Sequence, residues 1–125
     1  RNTAPKDADK VYELLFKKSP ASCVTFVNFK DQVVPKIDCC IWMEARLCPG
    51  ELTRILALKK YERTSFSQGD SPGFLKPFVG RPSWWTPQTL NNTITKASIN
   101  PRPDSEQTLF FGPDSSHIYI CDLAL

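Results

Sequence analysis

The feature that most constrains the fold of this chain is a strict alternation of side chains over residues 37–45. One set of alternate positions is largely apolar: Ile37, Cys39, Ile41, Met43 and Ala45. The other set is mixed: Asp38, Cys40, Trp42 and Glu44. Because successive side chains of a β-strand point to opposite faces of the sheet, this period of two predicts a strand. One of its faces should lie in a core and the other should be half exposed.

Turn signals divide the rest of the chain into short elements. Further strands are predicted over residues 22–29, 93–99, 107–112 and 117–122, with a turn at residues 30–32 after the first of them. Residues 61–66 are predicted to form either a short strand or a loop. One helix is predicted between Asp7 and Ser19-Pro20, and a second opens at Cys48-Pro49-Gly50-Glu51. This order predicts a single α+β domain over residues 1–125. Its architecture is an antiparallel sheet of about five strands with two helices packed on one face.

The long stretch between residues 61–66 and the predicted strand at 93–99 is unusual. Residues 67–88 hold four of the 11 prolines and three of the five glycines, together with the aromatic residues Phe74, Phe78, Trp84 and Trp85. Leaving four large aromatic side chains in water is costly, so we expect an ordered loop rather than a flexible linker.

Charge and length narrow the class of protein. The chain has 125 residues and a formal net charge of +3, and its densest basic spots are the pairs Lys17-Lys18 and Lys59-Lys60. Scattered lysines of this kind predict solvated surface charge and no nucleic-acid partner. Since the chain starts at Arg1 rather than Met, we expect that an N-terminal segment has been removed, and that segment could have carried a membrane tether.

Five cysteines are many for a chain of this length, and all five are disulfide candidates: Cys23, Cys39, Cys40, Cys48 and Cys121. Small domains outside the cytoplasm gain most from disulfides, so the count favours the periplasm or cell envelope over a cytoplasmic protein with reduced thiols. We expect Cys39 or Cys40 to bond with Cys48 or Cys23, while the other packs in the core. The odd number leaves at least one cysteine outside any intramolecular bond.

Catalytic and metal-binding motifs are missing from the sequence. In an extended strand His117, Tyr119 and Cys121 share one face, but four residues separate the Cα atoms of His117 and Cys121 by roughly 13 Å, too far for a direct hydrogen bond. The cysteine spacing does not match a zinc site, and no nucleotide-binding or hydrolase motif occurs. We therefore predict no cofactor, no metal and no enzymatic activity. An enzyme with an unfamiliar site around His117 and Cys121 remains an alternative.

The segment from Arg81 to Pro87 is the best candidate for a binding surface. It places Trp84 and Trp85 side by side between prolines. In an extended segment the two rings point opposite ways, so one can anchor the loop while the other contacts a partner. The predicted contact residues are Trp84, Trp85, Phe78 and Arg81.

Two stretches carry a resemblance to known proteins. Residues 38–44, Asp-Cys-Cys-Ile-Trp-Met-Glu, and residues 48–56, which begin Cys-Pro-Gly-Glu-Leu, resemble a segment of small uncharacterised bacterial envelope proteins, some of them lipoprotein-like. Trp85-x-Pro87 and Asp114-Ser115 also resemble short segments of these proteins. The resemblance implies an envelope location and an α+β fold, and it implies no activity.

Together these observations predict a non-catalytic protein-binding domain outside the cytoplasm, of the inhibitor or immunity-protein type, which acts by steric occlusion. A module that binds a small ligand or glycan through Trp84 and Trp85 is the alternative of a different class. The expected partner is another protein, and the sequence defines no oligomeric state.

Overall fold

A computed structural model describes residues 8–34, 37–67, 82–101, 103, 105–114 and 116–124. In these residues the elements follow in the order α1 (Ala8–Phe16), β1 (Thr25–Val34), β2 (Ile37–Arg46), α2 (Glu51–Ala57), β3 (Glu62–Ser67), β4 (Thr93–Ile99), β5 (Ser105–Phe111) and β6 (His117–Ala124). The strands form one antiparallel sheet in the order β1-β2-β6-β5-β4-β3. The predicted α+β class is confirmed, with six strands where the sequence predicts about five.

Both helices lie on the same face of the sheet, which we call the helix face. Val11, Tyr12 and Phe16 form the buried side of α1, and Leu52 and Ile55 form that of α2. They pack on inward-facing residues of the central strands: Ile41, Met43, Ala45, Ala97, Leu109, Phe111, Ile118 and Ile120. The predicted apolar set of β2 therefore faces this core wherever its side chains are described. Packing of an amphipathic stripe, rather than helix propensity, holds such short helices in place.

The start of α2 follows from its local sequence. Gly50 precedes the helix with φ of 83°, a left-handed conformation that glycine adopts without steric cost. Glu51 then begins the helix, and its negative charge is favourable near the partial positive charge of a helix N-terminus. The helix that the sequence predicts after Cys48-Pro49 is thus confirmed.

The turn predicted at residues 30–32 is wrong. β1 continues through these residues to Val34, and Lys30 pairs with Trp42 while Asp31 pairs with Ile41. β1 is an edge strand, so the Lys30 side chain can stay exposed without leaving the ladder. A charged pair in an edge strand therefore imitates a turn in the sequence.

The second face of β2 also differs from the prediction. Instead of being half exposed, Trp42 is fully buried and Glu44 is 7% exposed. Residues 82–92 provide Trp84, Trp85 and Leu90 to the apolar cluster on this side, so we call it the segment face. The strand's own alternation cannot reveal that cover, because the covering residues come from a distant part of the chain.

Candidate functional site

Trp85 anchors residues 82–92 to the segment face. Its side chain is 2% exposed. Its ring makes edge-to-face contacts with three aromatic rings of the sheet: Trp42 at 4.9 Å, Tyr119 at 5.3 Å and Phe110 at 6.0 Å between ring centroids. Edge-to-face pairs at these separations add to the stabilisation that apolar burial provides. The indole Nε1 is buried and has no acceptor among the described residues, so shape and ring contacts hold Trp85 in place.

The local backbone explains why this segment keeps its shape. A turn joins the amide of Trp85 to the carbonyl of Pro82 at 3.0 Å, and a short 3₁₀ helix covers Pro87–Thr89. Pro87 suits the first position of that helix because its missing N–H would have no partner there. The Thr86 hydroxyl lies 3.2 Å from the Tyr119 hydroxyl of β6, which ties the segment to the sheet.

Trp84 differs from its neighbour in exposure. It is half-buried, packs against the rim of the same cluster and lies 6.3 Å from the Trp85 ring. The pair thus divides into a buried residue and one that a partner can reach. Trp85 cannot be a contact residue while the segment stays in place, so the binding prediction narrows to Trp84. The other two predicted contacts, Phe78 and Arg81, lie outside the described residues.

A polar network borders the aromatic cluster and was missed by the sequence reasoning. The Glu44 side chain is 9% exposed, and its Oε2 lies 2.6 Å from Nε2 of His117. The Asn28 amide donates a hydrogen bond to its Oε1 at 2.8 Å. A carboxylate can be buried only when such partners replace its water. The sequence does contain a signal for this network, because Glu44 lies on the same side of the alternating strand as Trp42.

Strand register creates this network. Asn28 of β1 pairs with Glu44, and Glu44 pairs with Tyr119 of β6, so the three side chains lie in one row. Burial is the main cause that raises the pKa of Tyr119, and the Glu44 carboxylate raises it further. Tyr119 therefore stays neutral well above neutral pH, and its hydroxyl group forms a hydrogen bond with that of Thr86. The arrangement positions the covering segment and offers no exposed nucleophile.

The geometry does not support the alternative of a Cys121–His117 nucleophile. Cys121 is 1% exposed inside the aromatic cluster, with Tyr119 between it and His117 along β6. The Nε2 atom of His117 is directed at Glu44. Thiol chemistry needs a thiolate that substrate can reach, and burial among aromatic rings prevents that access.

The disulfide joins Cys23 to Cys48, with Cα atoms 5.5 Å apart. The expected bond of Cys39 or Cys40 to one of these residues is therefore wrong. Thr25 pairs with Arg46, so Cys23 and Cys48 each lie two residues beyond the same end of the hairpin. Cys40 lies six residues further down β2, roughly 20 Å from that end. The side chains of Cys39 and Cys40 lie outside the described residues.

A shallow pocket of about 340 Å³ adjoins the disulfide, lined by Leu47, Cys48, Pro49, Gly50, Asp114 and Ser116. Its one described carboxylate, Asp114, accepts a hydrogen bond from the backbone amide of Ser116 at 3.2 Å. Nowhere in the described part of the chain do three His, Cys, Asp or Glu side chains gather as a metal site would require. No described helix is long and apolar enough to cross a membrane.

Comparison with known proteins adds no relatives: no family model, no curated protein and no solved structure matches this chain. The class that the fold defines is an α+β domain with an antiparallel sheet and, among the described residues, a Cys23–Cys48 disulfide near the end of the first hairpin. The resemblance to bacterial envelope proteins stays a prediction.

Proposed function

We propose that this chain is a non-catalytic protein-binding domain that works outside the cytoplasm and acts by covering a surface of its partner, as an inhibitor or immunity protein does. The observation that carries the proposal is the placement of Trp84. Its half-buried ring lies at the surface of a segment that the buried Trp85 fixes from below. Tryptophan is enriched among residues that dominate binding energy at protein interfaces.

Rigidity of the segment supports a binding role. Trp85 has three ring partners on the sheet, Thr86 reaches Tyr119, and the 3₁₀ helix closes through the Leu90 amide and the Pro87 carbonyl at 3.0 Å. A contact residue that is already ordered loses little conformational freedom when its partner arrives. Trp84 is therefore presented at a low entropic cost.

The disulfide supports the location. The Cys23–Cys48 bond is of the kind that persists in oxidising compartments and is rare in the cytosol. An envelope or periplasmic protein of this size would gain stability from such a crosslink. An inhibitor that must survive outside the cell's chaperone systems fits the same requirement.

The experiment compares three purified chains as baits in an extract of envelope and secreted proteins: wild type, Trp84→Ala and Leu14→Ala. Leu14 is the matched control, since it is a large apolar residue that is 66% exposed on α1, on the helix face. We expect one partner whose affinity Trp84→Ala lowers by about thirtyfold or more, as for an interface hot spot. Leu14→Ala should bind that partner normally.

Two results would count against the proposal. Equal binding by wild type and Trp84→Ala, with native circular dichroism for both, would show that Trp84 only packs the segment. The second result is a shift of tryptophan fluorescence on titration with oligosaccharides that is lost in Trp84→Ala. It would support the alternative of a glycan-binding module, because a tryptophan ring also stacks on sugar rings.

A further inference from the structure

Each helix on the helix face is followed by two lysines. Lys17 and Lys18 come directly after α1, and Lys59 and Lys60 lie in the turn after α2. Lys17, Lys18 and Lys60 are exposed, and Lys59 is half-buried. The sequence alone treats these pairs as two unrelated solvated spots, since about forty residues of chain separate them.

The packing of the helices brings the two pairs to one corner of the molecule. Arg54 of α2 donates through Nη1 to the backbone carbonyl of Phe16, the last residue of α1, at 2.8 Å. Lys17 is the next residue after Phe16, and Lys59 follows Arg54 by five positions. Burial is the main cause that lowers the pKa of Lys59; Asp122 raises that pKa, and the charge of Lys17 lowers it further. We call Lys17, Lys18, Lys59 and Lys60 the lysine corner.

Nearby carboxylates have partners of their own, although Asp122 also acts on Lys59 and Glu51 also senses the charge of Lys18. Glu51 forms an ion pair with Arg54 at 2.8 Å, Glu13 accepts the Ser19 hydroxyl at 2.5 Å, and Asp122 accepts the Gln107 amide at 3.0 Å. No carboxylate in the described part of the chain lies within salt-bridge distance of the four ammonium groups. Positive charge at this corner is thus favoured by the helix C-termini and is only partly offset, by carboxylates that lie beyond ion-pair distance.

Lys17 also occupies an unusual backbone conformation. Its φ is 68°, in the left-handed region where helices normally end with glycine or asparagine. A lysine here adopts a backbone conformation that residues with a Cβ atom rarely adopt. The Lys17 amide donates a hydrogen bond to the Glu13 carbonyl at 2.9 Å, so this left-handed residue closes the end of α1.

We propose that the lysine corner is a docking surface for a short acidic segment of the partner protein. This inference rests on the proposed protein-binding function and assigns the partner a second point of contact, on the helix face. A short segment fits better than a nucleic acid because Glu13, Glu51 and Asp122 surround the corner and Glu62 shares a shallow depression with Lys60. These carboxylates interrupt the continuous basic track that a phosphate backbone needs.

The probe is a fluorescein-labelled hexaglutamate peptide, followed by fluorescence anisotropy at low and at physiological salt. We expect the double variant Lys17→Gln/Lys59→Gln to bind it at least roughly fivefold more weakly than wild type, and added salt to weaken wild-type binding. The matched control is Lys30→Gln/Lys96→Gln, which removes the same charge from the segment face, where Lys30 pairs with Trp42 and Lys96 with Phe110. The control should bind like wild type.

Equal loss in both double variants would overturn the proposal, since net charge alone would then explain binding. Tighter binding of a single-stranded oligonucleotide than of hexaglutamate, lost in Lys17→Gln/Lys59→Gln, would overturn it in favour of nucleic acid. Trp84→Ala should bind hexaglutamate as wild type does. A failure of the lysine corner is therefore distinguishable from a failure of Trp84 to bind the partner.

Discussion

The two faces of the sheet are buried in different ways. The helix face is covered by α1 and α2, whose apolar residues recur at helical spacing. The segment face is covered by residues 82–92, in which Trp85 makes the main contacts. Regular elements spread burial over many medium-sized side chains, while an irregular segment must concentrate it in a few large ones.

Each face also buries a polar network, and the networks differ in chemistry. On the helix face the Tyr61 hydroxyl donates to Gln107, and Gln107 donates to Asp122 at 3.0 Å. On the segment face the carboxylate of Glu44 is the centre and is held by Asn28 and His117. A buried polar group without a partner is costly, so both networks fix side chains that could not otherwise be buried.

The largest expected effect concerns the anchor of the segment face. Trp85→Ala should lower the free energy of unfolding by about 3–5 kcal/mol, because it removes a buried ring from three aromatic contacts. Trp85→Phe should cost much less, since the indole N–H has no acceptor among the described residues to lose. Urea denaturation of both variants measures the difference. If Trp85→Ala unfolds at the wild-type midpoint, the segment is a detachable cover rather than part of the core.

The second effect concerns the disulfide at the end of the first hairpin. Cys23→Ser/Cys48→Ser should lower the free energy of unfolding by about 2–4 kcal/mol, because the bond closes a loop with a sequence separation of 25 residues. Guanidinium denaturation of this variant, and of wild type with and without a reducing agent, tests it. Reduced wild type should match the double variant. A reducing agent that lowers the stability of the double variant as well would point to a different crosslink.

The sequence predicts the helix face better than the segment face. The Asp7 start with the Ser19-Pro20 stop, and the Pro49-Gly50-Glu51 start, indicate both helices, and the alternation of β2 identifies its core side. These signals are local, so they survive without knowledge of the rest of the fold. The error at residues 30–32 has the same origin, because charge is a local signal that an edge strand tolerates.

The candidate site could be predicted only in part. The sequence predicts the divided roles of the two tryptophans from an extended backbone, whereas the structure places Trp84 in a turn closed by the Trp85 amide and the Pro82 carbonyl. Which of the two is buried depends on Trp42 and Tyr119, which come from other strands. The Cys23–Cys48 pairing depends on the Thr25–Arg46 register, and a hairpin's register cannot be read without the position of its turn. Contacts between distant parts of the chain decide these features.

The third effect tests whether the two faces are energetically independent. Gln107→Ala and Glu44→Ala should each lower the free energy of unfolding by about 1–3 kcal/mol, since each leaves hydrogen-bonding partners unsatisfied. Gln107→Ala should be the more costly, because Gln107 is 1% exposed and Glu44 is 7% exposed. In the double variant the two losses should add to within about 0.5 kcal/mol. A clear departure from additivity, measured by urea denaturation, would show that the sheet couples its faces.

The smallest effect is a difference in pH dependence. Burial raises the pKa of Tyr61 on the helix face to about 12, with Asp122 adding to the rise. Because the unfolded tyrosine loses its proton near pH 10, the contribution of Tyr61 to stability is complete below pH 10 and is lost between about pH 10 and 12. Tyr61→Phe should therefore make the free energy of unfolding fall less steeply with pH over that range. The slope should decrease by an amount that corresponds to at most one proton released per molecule on unfolding.

Tyr119→Phe supplies the comparison from the segment face, where burial also raises the pKa of the hydroxyl. Tyr119→Phe should also make the free energy of unfolding fall less steeply with pH in the alkaline range. In addition it should loosen residues 82–92, because it removes the contact with Thr86. Hydrogen exchange at the Trp85 and Leu90 amides should then increase in Tyr119→Phe and stay at the wild-type rate in Tyr61→Phe. Faster exchange in both variants would mean that the network under the helices also holds the segment, and that the two faces are one cooperative unit.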